Sequence, residues 1–321
     1  MSRKHPIVAV TGAPGAGLST VRHAFKDIFA RLGIRPAIVH GDAFRRFGAT
    51  EQTALEAAAR AAGRELSRFG PDNNLFDELQ ALFRDYGDSG RGRLRDYAHN
   101  AERAGKLGVG VGEFGAWRRL PAGSDLLFYE GQHGGLATAR AGSHRAVDTR
   151  HFPPGMAPRG KTRDADDGID IARHVDLLIG VTPTINLEWI QKIHRDAAKY
   201  RRSPDETVRS ILSRMEDAIR YIVPQFALTD LNIQRVPLVD TSNPFVARDV
   251  PAPEESALIF HFRDRKRHDF PDLLKRIPGA RMTRASTLLV PGGKLRQALA
   301  VICAPMLEDM MLARKRALAR A

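Results

Sequence analysis

Cysteine and long hydrophobic runs are scarce in this chain of 321 residues. The single cysteine, Cys303, excludes an intramolecular disulfide and a zinc site built from several cysteines. No apolar run approaches the roughly 18 to 20 residues that a membrane-spanning helix requires. The first ten residues lack the pattern of a signal peptide. We therefore expect a cytoplasmic protein without a membrane partner.

Negative charge is also in deficit, since the net charge is +13 at pH 7. A charge of this size raises the alternative of nucleic-acid binding. The basic residues, however, are scattered along the chain and are not interleaved with aromatic residues, as they are in proteins that bind single strands. Sites for polyphosphates and sugar phosphates also collect arginine. We therefore expect small phosphorylated ligands and no specific nucleic-acid partner, although so basic a surface can bind nucleic acid non-specifically.

Short apolar segments alternate with amphipathic segments along most of the chain. This alternation predicts an α/β fold with a mixed, mostly parallel sheet flanked by helices. The predicted strands cover residues 6–12, 36–42, 124–131, 174–183, 236–242, 256–262 and 286–293. The predicted helices cover residues 19–33, 51–66, 74–87, 186–200, 206–226 and 296–321.

Residues 138–170 interrupt the alternation, because they are rich in proline, glycine and charge and show neither a helical nor a strand period. We predict a surface-loop insertion at about these positions. The sequence shows no internal repeat and no clear linker. We therefore expect a single elaborated domain over residues 1–321.

A glycine-rich turn, VTGAPGAGLST, follows the first predicted strand and precedes the first predicted helix. Its backbone N–H groups and the positive end of the helix can surround a β-phosphate. The predicted nucleotide-binding residues are Gly12, Gly15, Ala16, Gly17, Leu18, Ser19 and Thr20. Ser19 is a candidate Mg²⁺ ligand, and Thr20 could contact the α-phosphate. Leu18 stands where a P-loop has lysine, so a phosphate site here needs another cation. The alternative is a plain strand-to-helix turn.

Two acidic residues end predicted strands. Asp42 follows Gly41 and is well placed to accept a proton from a substrate hydroxyl, but an aspartate here can equally cap the next helix. Glu130 ends the apolar segment LLFYEG, where P-loop proteins often carry an acid that orders magnesium. For Glu130 the alternative is an ordinary acid at the surface end of a strand.

A third cluster lies in the segment NLEWIQKIHRD. Lys192, Arg195 and Asp196 fall at positions i, i+3 and i+4 of a predicted helix and therefore share one face. Two cations and an acid on one face could hold a phosphate and a metal together, and could supply the cation that Leu18 does not. The alternative is a salt-bridged helix surface. His99 and His133 are isolated histidines, for which a structural role is the default.

Together these segments resemble the bacterial type (class I) of phosphoribulokinase, within the uridine kinase-like P-loop kinases. The resemblance rests on VTGAPGAGLST, GDAFRRF, FYEGQHGG, INLEWIQKIHRD and QRVPLVDTSNPF, which occur in this order. It extends from residue 5 to about residue 308, apart from the predicted loop. Bacterial members also lack the P-loop lysine. The resemblance therefore implies a P-loop NTPase-like fold with Lys192 as the substitute cation.

The family resemblance implies a phosphotransferase reaction of the Calvin cycle. The γ-phosphoryl group of ATP, with Mg²⁺, would pass to the 1-hydroxyl of D-ribulose 5-phosphate. The resemblance implies Asp42 as the general base and Lys192 and Arg195 as catalytic cations. It also implies Glu130 and Asp196 as metal ligands, together with the hydroxyl predicted from the turn.

The predicted sugar-phosphate pocket departs from the family pattern. Arg45 replaces a histidine, and three uncharged residues stand where the family has cations, namely Ala49, Thr53 and Tyr200. His99 matches a histidine linked to sugar-phosphate binding. We predict Arg46, His99 and Arg201 as substrate-binding residues. Further candidate replacements are Arg202 and, in the predicted loop, Arg159, Lys161 and Arg163.

Two alternatives remain open for the function. The chain could phosphorylate another pentose phosphate or a nucleoside-like alcohol, or it could be a non-catalytic regulator that binds ATP. The resemblance also implies a homo-oligomer with NADH as an effector, and the single cysteine excludes the redox switch of the plant type. Arg214, Arg248 and Arg284 match parts of the effector region, but His261 stands where another arginine would be.

Overall fold

A computed structural model describes residues 4–13, 15–63, 66–137 and 168–320. The strands are β1 (Ile7–Gly12), β2 (Pro36–His40), β3 (Arg93–Leu94), β4 (Arg118–Arg119), β5 (Leu126–Gly131), β6 (Leu177–Pro183), β7 (Leu231–Pro237), β8 (Ser256–Phe262), β9 (Arg281–Arg284) and β10 (Thr287–Pro291). The helices are α1 (Leu18–Leu32), α2 (Ala49–Ala61), α3 (Phe76–Ser89), α4 (Ala101–Leu107), α5 (Ile185–Tyr200), α6 (Pro204–Leu212), α7 (Met215–Asp217), α8 (Phe270–Arg276) and α9 (Leu295–Leu318).

Eight of these strands form one sheet in the order β2-β5-β1-β6-β7-β8-β10-β9. The first five strands of this order pair in parallel, and the last three are antiparallel to their neighbours. The prediction of a mixed, mostly parallel sheet is confirmed. Because parallel strands end at the same edge of a sheet, the turns after β1, β2 and β5 lie close together.

The core lies on both faces of the sheet, because successive side chains of a strand point to opposite faces. On β5, Phe128 packs against Phe25 and Phe29 of α1, with ring centroids 5.0 and 5.3 Å away. The next residue, Tyr129, packs on the other face against Phe83 of α3, at 5.3 Å. The sheet is therefore covered on both sides, and its strand ends form a fixed support for the turns that follow them.

Three predicted elements differ from the structure. The helix predicted to end at Gly87 continues to Ser89 and ends where Gly90 adopts a left-handed φ of 68°. The helix predicted over 206–226 divides into α6, α7, a π-helical turn and a 3₁₀ turn that contains Pro224, which has no N–H to donate. The strand predicted over 236–242 lies earlier, as β7, where LNIQ already alternates apolar and polar residues.

Most of the predicted surface loop, residues 138–167, lies outside the described residues. Ala137 and Asp170, which are described on either side of this stretch, form an isolated antiparallel bridge. The expectation of a single domain over the whole chain stays a prediction. Within the described segments, no helix is both long enough and apolar enough to cross a membrane.

Candidate active site

The ends of β1, β2 and β5 open into a cavity of about 530 Å³, a size typical of small-molecule sites. Its lining includes the glycine-rich turn at 15–18, Asp42, Glu130 and Arg195. Four segments that are far apart in the sequence therefore contribute to one cavity, as the predicted site requires.

The glycine-rich turn has a backbone conformation that residues other than glycine rarely adopt. Gly15 and Gly17 have φ values of 84° and 80°, and Gly17 forms the N-cap of α1. A Cβ atom on Gly15 would lie 2.7 Å from Oε1 of Gln191, so α5 packs directly against the turn. This geometry suits a loop whose N–H groups approach a phosphate closely.

A Gly17→Ala variant should separate the effect of this turn's backbone conformation on ATP binding from a general loss of protein stability. A Cβ atom on Gly17 meets nothing within 4 Å, so the left-handed φ is the main cost, about 1–2 kcal/mol. We expect the KM for ATP to rise about tenfold, because relaxation of the turn moves its N–H groups. Gly123→Ala is the matched control, since Gly123 has a φ of 73° and equally open space but does not line the cavity. An equal change in KM for both variants would contradict the prediction.

Glu130 lies at the cavity with few partners. Its Oε2 atom is 3.4 Å from Nη1 of Arg22 and 3.8 Å from Nδ1 of His40. The same oxygen is buried and accepts no hydrogen bond from the described residues. Burial raises the pKa of Glu130, and the charge of Arg22 only partly offsets this. A desolvated carboxylate with a vacant lone pair is suited to bind a cation.

Arg22 was not predicted as a site residue, although it lines the cavity. It lies four residues after Leu18 on α1, so the two side chains share a face of the helix. The signal in the sequence was a cation one helical turn beyond the position of the missing lysine. Arg22 pairs with Glu130 and brings positive charge to the edge of the glycine-rich turn.

Asp42 lies in a short 3₁₀ turn directly after β2. Its Oδ1 atom is 2.5 Å from Nη2 of Arg45, and its Oδ2 atom is 3.4 Å from Nε2 of His99. A Cβ atom on Gly41 would lie 2.6 Å from the hydroxyl of Tyr129, which explains the glycine before this carboxylate. The carboxylate therefore faces two basic side chains at the cavity, an arrangement that favours a site group over a helix cap.

The cluster on α5 is centred on a buried carboxylate. Asp196, whose side chain is 2% exposed, lies 2.5 Å from Nζ of Lys192 and 3.3 Å from Nε of Arg195. Arg202 approaches the same carboxylate at 3.8 Å. Burial would raise the pKa of Asp196, but the hydrogen bond and charge of Lys192 and the charge of Arg195 outweigh it and lower the pKa. Asp196 therefore holds its neighbouring cations in fixed positions.

The chain matches the sequence profile of the phosphoribulokinase/uridine kinase family over residues 7–145 and 161–242. It belongs to this family. The chain is 43% identical to the plasmid phosphoribulokinase of Cupriavidus necator over 318 residues, which cover 99% of each protein. It is 40% identical to the phosphoribulokinase of Nitrobacter vulgaris over 318 residues, covering 99% and 100% of the two chains. The solved phosphoribulokinase structure from Rhodobacter spheroides has a TM-score of 0.80, with 40% identity, 98% coverage of this chain and 100% of that one.

Family membership confirms the P-loop kinase fold, while the roles of individual residues stay predictions. Seven of the predicted site residues do not line the cavity, namely Gly12, Ser19, Thr20, Arg46, Lys192, Asp196 and Arg201. Ser19 and Thr20 are exposed at the start of α1. Arg46 donates to carbonyl groups of the loop at 71–74, and Arg201 is the exposed, left-handed C-cap of α5. Of the three predicted substrate-binding residues, Arg46 is therefore engaged elsewhere and Arg201 does not reach the cavity, whereas His99 lines it.

His133, in the family segment FYEGQHGG, has a structural environment. Its Nε2 atom donates to the carbonyl of Phe69 at 3.0 Å, and its ring packs against Phe76 at 4.9 Å. Burial lowers the pKa of His133 to about 4, and the nearby charge of Arg45 adds to this effect. The folded protein therefore holds this imidazole neutral well below the pH at which an unfolded histidine becomes charged.

The free energy of unfolding should fall as the pH is lowered from about 6.5 towards 4. Over this range the unfolded chain binds a proton at His133 that the folded chain does not bind. The free energy of unfolding therefore falls below pH 6.5 by up to about 1.4 kcal/mol per pH unit. Urea unfolding at several pH values measures this slope. His133→Gln should reduce it, and His23→Gln, at an exposed position, controls for removal of a histidine. An unchanged slope in His133→Gln would refute the assignment.

Proposed function

We propose that this kinase transfers the γ-phosphoryl group of ATP to the 1-hydroxyl of D-ribulose 5-phosphate, giving ADP and D-ribulose 1,5-bisphosphate. The observation that carries the proposal is that Asp42 and the glycine-rich turn line one cavity. A carboxylate able to take a hydroxyl proton thereby faces a loop suited to phosphates. The relatives named phosphoribulokinase, at 40–43% identity over nearly the whole chain, support this choice of substrate.

The chain's own residues have distinct tasks in the proposed reaction. Asp42 accepts the proton of the acceptor hydroxyl while the oxygen of that hydroxyl attacks the γ-phosphorus. The N–H groups of the glycine-rich turn hold the β-phosphate. Lys192 and Arg195 offset the negative charge of the transferring group. Phosphoryl transfer depends mainly on such positioning and charge neutralisation, and these residue types supply both.

Mg²⁺ fits the carboxylate of Glu130, whose buried Oε2 atom accepts no hydrogen bond within the described part of the chain. When bound, the ion would withdraw negative charge from the phosphate oxygens. We assign Glu130 as a protein ligand of the ion, while Ser19, exposed at the start of α1 and outside the cavity lining, stays a candidate from the sequence. Asp196, already paired with three cations, acts in this proposal by fixing Lys192 and Arg195. Among the described residues, no three His, Cys, Asp or Glu side chains converge on a metal site, and Mg²⁺ in kinases typically uses few carboxylates.

ADP release by the purified protein with Mg²⁺-ATP tests the proposal. We expect ribulose 5-phosphate to stimulate release strongly above the background without acceptor. Other sugar phosphates and nucleosides, at the same concentration, should stimulate it far less. Tight ATP binding without any stimulation by ribulose 5-phosphate would reject this acceptor, and the panel would identify the replacement.

A different acceptor is the second candidate, and one specific observation favours it. Ala49, Thr53 and Tyr200 are uncharged where the family resemblance places cations. A kinase of the same family acting on another pentose phosphate, or on a nucleoside-like alcohol, would need a different set of contacts there. A non-catalytic ATP-binding regulator would show no acceptor-dependent ADP release with any member of the panel.

Regulation by NADH in a homo-oligomer is a further part of the proposal, taken from the family. The candidate effector residues lie on separate elements: Arg214 precedes α7, Arg248 follows β7, and Arg284 ends β9. A lack of any effect of NADH on activity would remove this part. We also propose a cytoplasmic location, because ATP and sugar phosphates are supplied there.

A further inference from the structure

Arg68 and Glu56 form an ion pair whose two members differ in burial. Nε of Arg68 lies 2.6 Å from Oε1 of Glu56, and Nε2 of Gln52 donates to the same oxygen at 3.0 Å. The side chain of Glu56 is 8% exposed, whereas that of Arg68 is 39% exposed. The carboxylate is therefore fixed inside the protein, and part of the guanidinium reaches solvent.

The segment that carries Arg68 lies directly behind the cavity wall. Nδ2 of Asn74 donates to the carbonyl of Arg68 at 3.0 Å, and His133 donates to the carbonyl of Phe69 at 3.0 Å. Both Asn74 and His133 line the cavity, whereas Arg68 itself does not. The backbone at 68–69 is therefore tied to the wall of the candidate active site by two side chains.

Tyr97 lies beside the two basic residues that face Asp42. The ring of Tyr97 lies 4.8 Å from the ring of His99, and Cζ of Arg45 lies 5.6 Å from its centroid. Burial lowers the pKa of Arg68, but the hydrogen bond and charge of Glu56, with smaller contributions from two tyrosines, raise it above its usual value. Those tyrosines are Tyr200 and Tyr97.

A sugar phosphate needs a cation at the end opposite its reacting hydroxyl. Asp42 marks the hydroxyl end, and Arg45 and His99 are already paired with it. One face of α2 carries Ala49, Thr53 and Glu56 and therefore offers no cation at these positions. Glu56 on this face instead holds a cation from another segment, namely Arg68.

We propose that Arg68, held by Glu56, binds the phosphate group of the sugar substrate and so selects a phosphorylated acceptor. This assignment rests on the proposed function, since it takes a sugar phosphate as the acceptor. Among the described residues, Nε is the one guanidinium nitrogen of Arg68 with a hydrogen bond. The Nη groups can therefore form the paired contacts that arginine makes with phosphate. Fixing Nε on a buried carboxylate orders the side chain before the substrate arrives.

Kinetics of an Arg68→Met variant test the assignment. We expect the KM for ribulose 5-phosphate to rise about 10- to 100-fold, as loss of a charge-assisted contact predicts, while the KM for ATP changes less than twofold. The loss of kcat/KM should be much smaller with unphosphorylated ribulose as the acceptor. Arg60→Met is the matched control, because Arg60 is exposed on α2 and should leave every parameter unchanged.

Two further variants keep the test decisive if Arg68→Met folds poorly. Arg68→Lys retains the positive charge and should give an intermediate KM for ribulose 5-phosphate. Glu56→Gln keeps the side-chain size but removes the charge that holds Arg68, and it should raise the same KM several-fold. An unchanged KM for ribulose 5-phosphate in Arg68→Met overturns the assignment. An equal loss of kcat/KM with ribulose and with ribulose 5-phosphate also overturns it. A parallel rise in the KM for ATP together with a lower Tm does so too, because it shows that the ion pair is purely structural. Failure of the wild-type protein to use ribulose 5-phosphate would instead reject the proposed function. The affinity of the wild type and of Arg68→Met for inorganic phosphate would then test the role of Arg68 by itself. Equal affinities would overturn the assignment.

Discussion

An Asp42→Asn variant is expected to lower kcat by about 10²- to 10⁴-fold, the usual contribution of a general base. Asparagine has nearly the same size as aspartate but cannot accept the proton of the acceptor hydroxyl. Asp42 is well suited to the role, because its carboxylate faces the cavity and lies between Arg45 at 2.5 Å and His99 at 3.4 Å. The two basic groups hold the carboxylate in one orientation at the cavity.

The same variant should retain nucleotide binding, since the side chain of Asp42 pairs with Arg45 and His99 and, among the described residues, not with the glycine-rich turn. Acceptor-dependent ADP release gives kcat, and calorimetry with ATP gives the dissociation constant. Asp85→Asn, which removes an exposed acid paired with Arg84, should leave both values unchanged. Retention of more than a tenth of the wild-type kcat by Asp42→Asn would show that Asp42 is not the base. Identical behaviour of both proteins in every assay would favour the non-catalytic alternative.

The fold could be predicted from the sequence where local patterns agree with tertiary structure. The buried strand β1, the glycine-rich turn after it and the amphipathic α1 each have a local signal, and the structure contains all three. The segment at 206–226 was predicted wrongly as one helix, because its helical period continues through Pro224 while the backbone does not. Periodicity indicates which face is apolar, but it does not show where a helix is interrupted.

The candidate site was predictable where residues follow strand ends and hidden where they meet through tertiary contacts. Asp42 follows the end of β2 and Glu130 lies at the end of β5, and the structure places both at one cavity. Arg22 required knowledge of which face of α1 meets β5. Arg68 had no local signal, because its partner Glu56 lies 12 residues earlier and the two meet only through the packing of α2 on the loop that follows it.

A Lys192→Met variant is expected to lower kcat by about 10²- to 10³-fold, the usual cost of removing one preorganised group that stabilises transition-state charge. Leu18 leaves the glycine-rich turn without the usual lysine, and in the proposed reaction cations of α5 offset the charge on the transferring phosphoryl group. Nζ of Lys192 is held 2.5 Å from Asp196, and its side chain is only 13% exposed. An ammonium fixed in such a desolvated place acts on nearby charge more strongly than a mobile surface lysine.

Loss of Lys192 should also lower the free energy of unfolding by about 1–3 kcal/mol, because the buried carboxylate of Asp196 loses its shortest hydrogen bond. Arg195 and Arg202 remain near that carboxylate, which keeps the expected loss below that of a fully unpaired buried charge. Denaturant unfolding measures this change, and kinetics at saturating ATP and acceptor measure kcat. Lys199→Met is the matched control, since Lys199 is an exposed lysine of the same helix.

The comparison with Arg195→Met decides which cation of α5 replaces the P-loop lysine. Arg195 lines the cavity in this structure, whereas Lys192 lies behind it on Asp196. If Lys192 contacts the transferring phosphoryl group, its side chain must leave Asp196 when nucleotide binds, and Lys192→Met then lowers kcat at least as much as Arg195→Met does. If Lys192→Met lowers stability but leaves kcat within threefold of wild type, the pair with Asp196 is structural. Arg195, fixed by the same carboxylate, would then be the substitute cation.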